Sequence, residues 1–291
     1  MSQFSQIAVF GEVLFDCFPE GDAILGGAPF NVAWHLQAFG DQPRFLSRTG
    51  KDAYGQQIRR AMQDWQMDDH SLQLDALHPT GQVEVSIVDN EPSYDIKPDA
   101  AFDFIDNSRM PKLDADSLLY HGTLALRNPV SAASLESLVS SSQCKVFVDV
   151  NLREPWWNKQ HCYQALEAAD WVKLNHHEMK MLGFASADLR QDMTRLQSNF
   201  QLKQLIVTLG SEGVIVRSNE GNFIEMPAVK PDKFVDSVGA GDAFSAMYIH
   251  GLAADWPLEQ IIERAQAFAS RVIGERGALI RDRRFYQSLN L

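Results

Sequence analysis

A run of small residues near the C-terminus ends in a carboxylate: Gly239-Ala240-Gly241-Asp242. An amphipathic pattern begins at the same place, so we expect a helix to start here. The first amides of a helix lack intrahelical partners and lie at the positive end of its dipole, which favours bound phosphate. Asp242 at the rim of this cradle can take a proton from an attacking nucleophile. The alternative is a glycine turn with Asp242 as an ordinary N-cap, and the run alone leaves both open.

A second motif favours the phosphate-binding interpretation over an ordinary N-cap. The run 239–242 resembles the C-terminal signature of the ribokinase (PfkB) family of carbohydrate kinases, and residues 26–33, Gly-Gly-Ala-Pro-Phe-Asn-Val-Ala, resemble its N-terminal signature. The two stretches are far apart and occur in the family's order. The resemblance implies ATP-dependent phosphorylation of a sugar hydroxyl, with Asp242 as the catalytic base. It also implies that the amides of Gly239, Ala240, Gly241 and Asp242 hold the transferred phosphoryl group.

The N-terminal motif also has a physical interpretation. Pro29 suits the first turn of a helix and Gly40 suits the position just beyond its end. Asn31 then lies in the first turn, where its amide can both donate to and accept from sugar hydroxyls. A hydrogen bond at the helix end is the alternative for Asn31 alone. By resemblance, Asp16, Gly27 and Asn31 bind the sugar.

A third motif lies in the middle of the chain. Residues 149–153, Asp-Val-Asn-Leu-Arg, resemble a motif of fructokinase-like and ketodeoxygluconate kinase-like members, with Val150 where the family usually has proline. The resemblance implies that Asn151 and Arg153 contact the substrate. Arg153 supplies a permanently charged planar donor, although a surface salt bridge is the alternative for it.

Residues 175–178, Asn-His-His-Glu, match the family's N-x-x-E motif. By resemblance, Glu178 holds the hydration shell of Mg²⁺, an ion that keeps several waters and takes few direct carboxylates. A zinc site at His176 and His177 is disfavoured, because consecutive residues point to different faces and no third ligand has suitable spacing.

The resemblance also places the nucleotide and a second cation. It implies potassium binding near Asp236 and Val238. It implies that ATP contacts a set of small or polar residues at turns: Asn175, Thr208, Gly210, Gly213, Gly239, Gly241 and Gly277.

Composition agrees with a cytoplasmic enzyme that binds small molecules. The 291 residues carry a formal net charge of -12, which disfavours a nucleic-acid surface. The three cysteines have no metal-type spacing, and no apolar stretch is long enough for a signal or a membrane span. No G-x-x-x-x-G-K-[ST] motif is present, and no G-x-G-x-x-G follows the first predicted strand, 7–10, which disfavours a dehydrogenase.

Apolar runs alternate with helical patterns along the chain, as in a parallel sheet covered by helices. We predict an α/β fold of the ribokinase-like type: one domain, 1–291, with a central, mostly parallel β-sheet flanked by helices and a small β-strand lid. The strands are predicted at 7–10, 118–120, 146–148, 171–174 and 205–207, and helices at 131–140, 160–169 and 189–197. The lid is predicted at about 12–25 and 80–105, where β-type alternation interrupts the pattern. The resemblance implies that the lid covers the ligand and forms a homodimer.

The sugar is predicted with fructokinases as the guide. Residues 11–16, Gly-Glu-Val-Leu-Phe-Asp, together with Asn151 and Arg153, resemble fructokinases most, so fructose phosphorylated to fructose 6-phosphate is the first candidate. Ribose, 2-keto-3-deoxygluconate, a nucleoside or a sugar phosphate remain open, as does a non-catalytic sugar or nucleotide sensor on the same fold. Lid residues such as Tyr94, Ile96 and Phe102 are predicted to decide among the sugars.

Overall fold

The computed structural model describes residues 2–88 and 91–289. This part of the chain forms one sheet of nine strands and a second of four. The strands are β1 (Ile7–Phe10), β2 (Leu14–Cys17), β3 (Ala23–Gly26), β4 (Arg44–Gly50), β5 (Leu72–Asp75), β6 (Gly81–Val88), β7 (Glu91–Ile96), β8 (Leu118–His121), β9 (Lys145–Asp149), β10 (Trp171–Asn175), β11 (Gln204–Thr208), β12 (Val214–Arg217) and β13 (Phe223–Met226). The predicted lid and domain ranges include residues 1, 89, 90, 290 and 291, which lie outside the described residues.

The large sheet has the order β13-β12-β11-β10-β9-β8-β1-β4-β5. Every neighbouring pair from β11 to β5 is parallel, whereas β12 and β13 are antiparallel. The carboxyl ends of parallel strands meet at one edge of a sheet, which is where ligands bind in open α/β folds. The segments that follow β1, β9, β10 and β11 therefore lie along the same edge.

Helices cover both faces of this sheet. They are α1 (Ala28–Phe39), α2 (Ala53–Asp64), α3 (Pro129–Ser142), α4 (Lys159–Glu167), α5 (His176–Met181), α6 (Leu189–Phe200), α7 (Ala240–Ala253), α8 (Leu258–Ile273) and α9 (Arg283–Gln287). Successive strand residues point to opposite faces. Phe147 of β9 accordingly packs in one cluster with Phe244 of α7, while Val146 and Val148 pack in the other with Leu166 of α4.

The four-stranded sheet, β3-β2-β6-β7, occupies the region predicted as the lid, and we refer to it as the lid. Strand β2 leaves the end of β1 after three residues and pairs with β3 antiparallel and with β6 parallel. Strand β3 leads directly into α1 through Gly27. The lid is therefore tied at both ends to the edge of the large sheet where β1 ends.

The predicted fold class is confirmed, and the five predicted strands and three predicted helices occur with small shifts in their ends. The predicted lid extends too far. Its sheet stops at Ile96, and residues 101–104 form a short 3₁₀ turn in which Phe102 is fully buried, because its ring packs against Gly81. Phe102 therefore belongs to the core. No helix of the described residues combines the length and apolar character needed to cross a membrane.

Candidate active site

Helix α7 begins at Ala240, as the small-residue run predicted. Gly239 precedes it with φ 79°, and a Cβ there would lie 2.3 Å from the Cβ of Ala278, so only glycine fits. The amide of Ala240 donates to the Ser237 carbonyl over 3.3 Å, so a turn engages one of the four amides predicted to bind phosphate. Among the described residues, the amides of Gly239, Gly241 and Asp242 have no partner. Three donors therefore remain for an anion.

Asp242 is the third residue of α7 and is half-buried. The side-chain amide of Asn31 donates to its Oδ2 over 2.7 Å, which joins the two family-like motifs. Burial raises the pKa of Asp242 to about 6, with a further increase from Asp149, while the Asn31 hydrogen bond and the charges of Lys173 and Arg153 oppose the rise. Neutral pH lies only slightly above this pKa, so the carboxylate is mostly ionised. A pKa near the working pH suits a general base.

A cavity of about 460 Å³ opens beside Asp242, between the lid and the edge of the large sheet. The residues predicted for the sugar, for phosphate and for potassium converge on its wall: Asp16, Gly27, Asn31, Asn151, Arg153, Asp236, Val238, Gly239, Gly241, Asp242 and Gly277. Lid residues Val83, Tyr94 and Ile96 line it from above. The wall is thus acidic and amidic on one side and apolar on the other, a combination that suits a polyol with an apolar ring face.

Two residues at the cavity are unusual, Gly27 in its backbone conformation and Asp16 in its pKa. Gly27, the N-cap of α1, has φ 108°, and a Cβ there would lie 2.8 Å from the carbonyl oxygen of Glu12. Asp16 on β2 has a raised pKa because it is buried, and Arg153 partly offsets this effect. Arg153 is the one cationic side chain among the described residues that line the cavity.

Comparisons with known proteins agree with this arrangement. The sequence model of the pfkB family carbohydrate kinases matches residues 18–282. The chain belongs to this family. It is therefore a carbohydrate kinase, and its resemblance to the ribokinase (PfkB) family is confirmed.

Individual relatives show which kinds of carbohydrate kinase the chain is similar to. A fructokinase of Escherichia coli is 30% identical over 298 residues, which cover 94% of this chain and 95% of that protein. The 2-dehydro-3-deoxygluconokinase of E. coli strain K12 is 25% identical over 301 residues, with 94% and 97% covered. The fructokinase of Vibrio cholerae O395 in its fructose, ADP and calcium ion bound form has a TM-score of 0.83 at 26% identity, with 99% of both chains covered. A double mutant of it, bound to fructose, ADP and a potassium ion, shares the fold with a TM-score of 0.85 at 24% identity and the same coverage.

The other residues predicted for ATP and Mg²⁺ lie at the next strand ends and not on the wall of the cavity: Asn175, Thr208, Gly210, Gly213 and Glu178. Asn175 caps α5 by accepting from the amide of Glu178, and the Glu178 carboxylate accepts the amides of Asn175 and Leu152 at 2.8 and 2.9 Å. Each Glu178 oxygen thus already accepts one hydrogen bond. Its buried carboxyl, with a pKa raised by burial, fits contact with the waters around a metal ion better than direct ligation.

Strand β11 brings the remaining nucleotide-side residues to the same edge. Asn175 pairs with Thr208 in the sheet register, and the turn that follows closes with a 2.8 Å bond from the Leu209 amide to the Gly213 carbonyl. Gly210 and Gly213 both have positive φ, at 60° and 114°. The turn therefore needs its glycines for its own conformation, apart from any contact with ATP.

Asp236 connects the loop before α7 to the turn after α8. Its Oδ1 accepts the amide of Val238 over 3.0 Å, and its Oδ2 accepts that of Gly277 over 3.2 Å. Asp236, predicted for potassium, therefore also has a structural role, because it holds the loop before α7 against Gly277.

A cluster of buried polar side chains, which sequence reasoning did not identify, lies beneath α7. Lys173 Nζ is 2.7 Å from Asp149 Oδ2, which also accepts from Ser245 Oγ at 2.8 Å and from Tyr120 at 3.4 Å. The ammonium lies 3.4 Å from the position of a Cβ on Gly241. A lysine inside the apolar strand 171–175 was the available signal. The ammonium of Lys173 thus lies beneath the start of α7, with its charge balanced by Asp149.

Proposed function

We propose that the chain is a fructokinase, which transfers the γ-phosphoryl group of ATP to the 6-hydroxyl of fructose. The observation that carries this proposal is the position of Asp242, whose ionised carboxylate lies between three unpartnered amides and a sugar-sized cavity. The fructokinases of E. coli and V. cholerae support the choice of sugar.

In the proposed reaction, the side chains of the cavity hold the sugar so that one hydroxyl faces Asp242. Asp242 takes the hydroxyl proton as the oxygen attacks the phosphoryl group. The amides of Gly239, Gly241 and Asp242 then donate to the oxygens that carry the negative charge, and the charge of Arg153 on the same cavity wall adds to this stabilisation. Positioning and electrostatics account for most of the acceleration, because the transition state is loose.

Two cations and a quaternary arrangement belong to the same proposal. Mg²⁺, when bound, neutralises phosphate charge, and its hydration shell would be held by Glu178. Potassium would bind near Asp236 and Val238 and order the loop before α7. We further propose a cytoplasmic enzyme that acts on free sugar and ATP, not on nucleic acid or membranes, and that dimerises through the lid.

A second substrate class follows from the 2-dehydro-3-deoxygluconokinase relative. That sugar acid carries a carboxylate, whereas Arg153 is the one cation on the described wall of the cavity and Asp16, Asp242 and Glu12 surround it with negative charge. The charge balance therefore favours a neutral sugar over an acidic one.

The test is a coupled ADP-release assay with fructose, ribose, 2-keto-3-deoxygluconate, a nucleoside and fructose 6-phosphate, each with and without potassium. We expect fructose to give the highest kcat/KM and potassium to increase it. A higher kcat/KM for 2-keto-3-deoxygluconate would identify this sugar acid as the substrate in place of fructose. Sugar binding without ADP release from any substrate would support the sensor and reject catalysis.

A further inference from the structure

Glu12 is a buried acid at the active site that the proposed mechanism does not use. It is the second residue after β1, is 3% exposed and lines the same cavity as Asp242. Its Oε2 atom is shielded from solvent and has no hydrogen-bond partner among the described residues. Its carbonyl oxygen abuts Gly27, so the residue is held in place by the start of α1.

The charges around Glu12 do not form an ion pair with it. Arg153 and Arg127 attract it and Asp242 repels it, yet within the described residues no cationic nitrogen lies in salt-bridge range of its carboxylate. Arg127 instead makes two 2.7 Å contacts with Asp103. Burial is the largest influence and raises the pKa of Glu12 to about 7.

An unpartnered buried carboxyl oxygen is costly and uncommon in native proteins, and each instance calls for an explanation. At the wall of a ligand cavity, the group that completes the hydrogen bond is most simply a group of the ligand. Asp16 and Asn31 lie on the same wall and offer further acceptors. A sugar contributes several hydroxyls beyond the one that is phosphorylated, and a carboxyl pairs with a hydroxyl in either protonation state.

We propose that Glu12 is a specificity-determining residue, whose free carboxyl oxygen pairs with a hydroxyl of the bound sugar other than the one that accepts the phosphoryl group. This inference rests on the proposed sugar kinase function. It assigns selection among polyols to Glu12 and the proton transfer to Asp242. Sugars that lack the partner hydroxyl leave the buried oxygen unpaired and bind less well.

The test compares Glu12→Ala and Glu12→Gln with the wild type, with Glu136→Gln in the exposed part of α3 as the matched control. We expect Glu12→Ala to raise KM for fructose by at least about tenfold with kcat within about threefold. Glu12→Gln retains a donor and an acceptor, so KM should rise less than in Glu12→Ala. A thermal unfolding curve for each variant shows whether it is folded.

Deoxy analogues of fructose identify the partner hydroxyl. In the wild type, one of the 1-, 3- and 4-deoxy analogues should show a raised KM, and in Glu12→Ala that same penalty should disappear, because the two losses concern one hydrogen bond. Additive losses for all three analogues in both variants would overturn the inference, since Glu12 would then act through structure or a buried water. An ADP-release assay that is negative for every sugar with the wild type would instead reject the proposed function.

Discussion

Replacement of Asp242 by asparagine should separate catalysis from stability. Asparagine has the same shape, and its side-chain oxygen can still accept from Asn31, as Oδ2 of Asp242 does over 2.7 Å. The variant loses the group that takes the hydroxyl proton. General-base catalysis contributes about 10²- to 10⁴-fold, so we expect kcat to fall by that factor while KM for the sugar stays within a few-fold.

The same substitution should stabilise the protein without ligands. The pKa of Asp242 rises from 3.8 to about 6 on folding, so between these values the folded state binds the proton more tightly than the unfolded chain. Stability contributed by this group therefore falls as pH rises from about 4 to about 6, and the full penalty applies above that. About two pKa units correspond to about 3 kcal/mol, an upper limit because the side chain is half-buried and partly solvated.

Asparagine removes this penalty. At pH 7.5 we expect the variant to gain about 1 to 3 kcal/mol in the free energy of unfolding, with roughly half of that gain at pH 5. Urea unfolding at both pH values measures the gain, and initial rates of ADP release measure kcat. A kcat near that of the wild type would reject Asp242 as the base. A variant less stable than the wild type at pH 7.5 would show that the carboxylate is not penalised by its surroundings.

Three further substitutions test neighbouring parts of the site. Asn31→Ala removes the donor that favours the ionised form of Asp242, so the pKa of Asp242 should rise. The acidic limb of the kcat against pH profile should then shift to higher pH, and an unshifted limb would contradict the role of this hydrogen bond. Gly239→Ala places a Cβ 2.3 Å from that of Ala278 at positive φ, so it should raise KM for ATP and cost about 1 to 3 kcal/mol in urea unfolding. Lys173→Met leaves its buried aspartate partner unpaired, which should cost about 3 to 5 kcal/mol in the same measurement, and a loss below 1 kcal/mol would show that the pair is solvated.

The features that the sequence predicted correctly are those set by local chemistry. The helix starts after Gly27 and Gly239 depend on small residues, a proline and capping geometry within a few positions, so both were expected at the right places. The strand β1 is a short apolar run that is buried throughout, and it is equally readable. In contrast, β4 contains Ser47 and Thr49, which are fully buried, and such polar residues hide a central strand.

The features that sequence reasoning missed depend on contacts between distant segments. Phe102 continues the alternating pattern of the lid, yet the Cβ-free surface of Gly81 allows its ring to pack into the core. Lysine is a residue type usually found at the surface. Lys173 is buried because its partner Asp149 lies on the adjacent strand, and the parallel register brings the two together. A lysine within an apolar strand is visible in the sequence, but the partner in each contact is not, because it lies more than twenty residues away.

The two acids beside each other on the cavity wall, Asp242 and Glu12, differ in their surroundings. Burial raises the pKa of Asp242 to about 6, and the hydrogen bond from Asn31 opposes this rise, so the group is mostly ionised at neutral pH. Burial raises the pKa of Glu12 to about 7 against the attraction of Arg153 and Arg127, so this group exists in both forms there. A base must be ionised to accept a proton, whereas a group that recognises a hydroxyl works in either form. The proposed tasks therefore belong to two carboxyls on one cavity wall, proton transfer to Asp242 and hydroxyl recognition to Glu12.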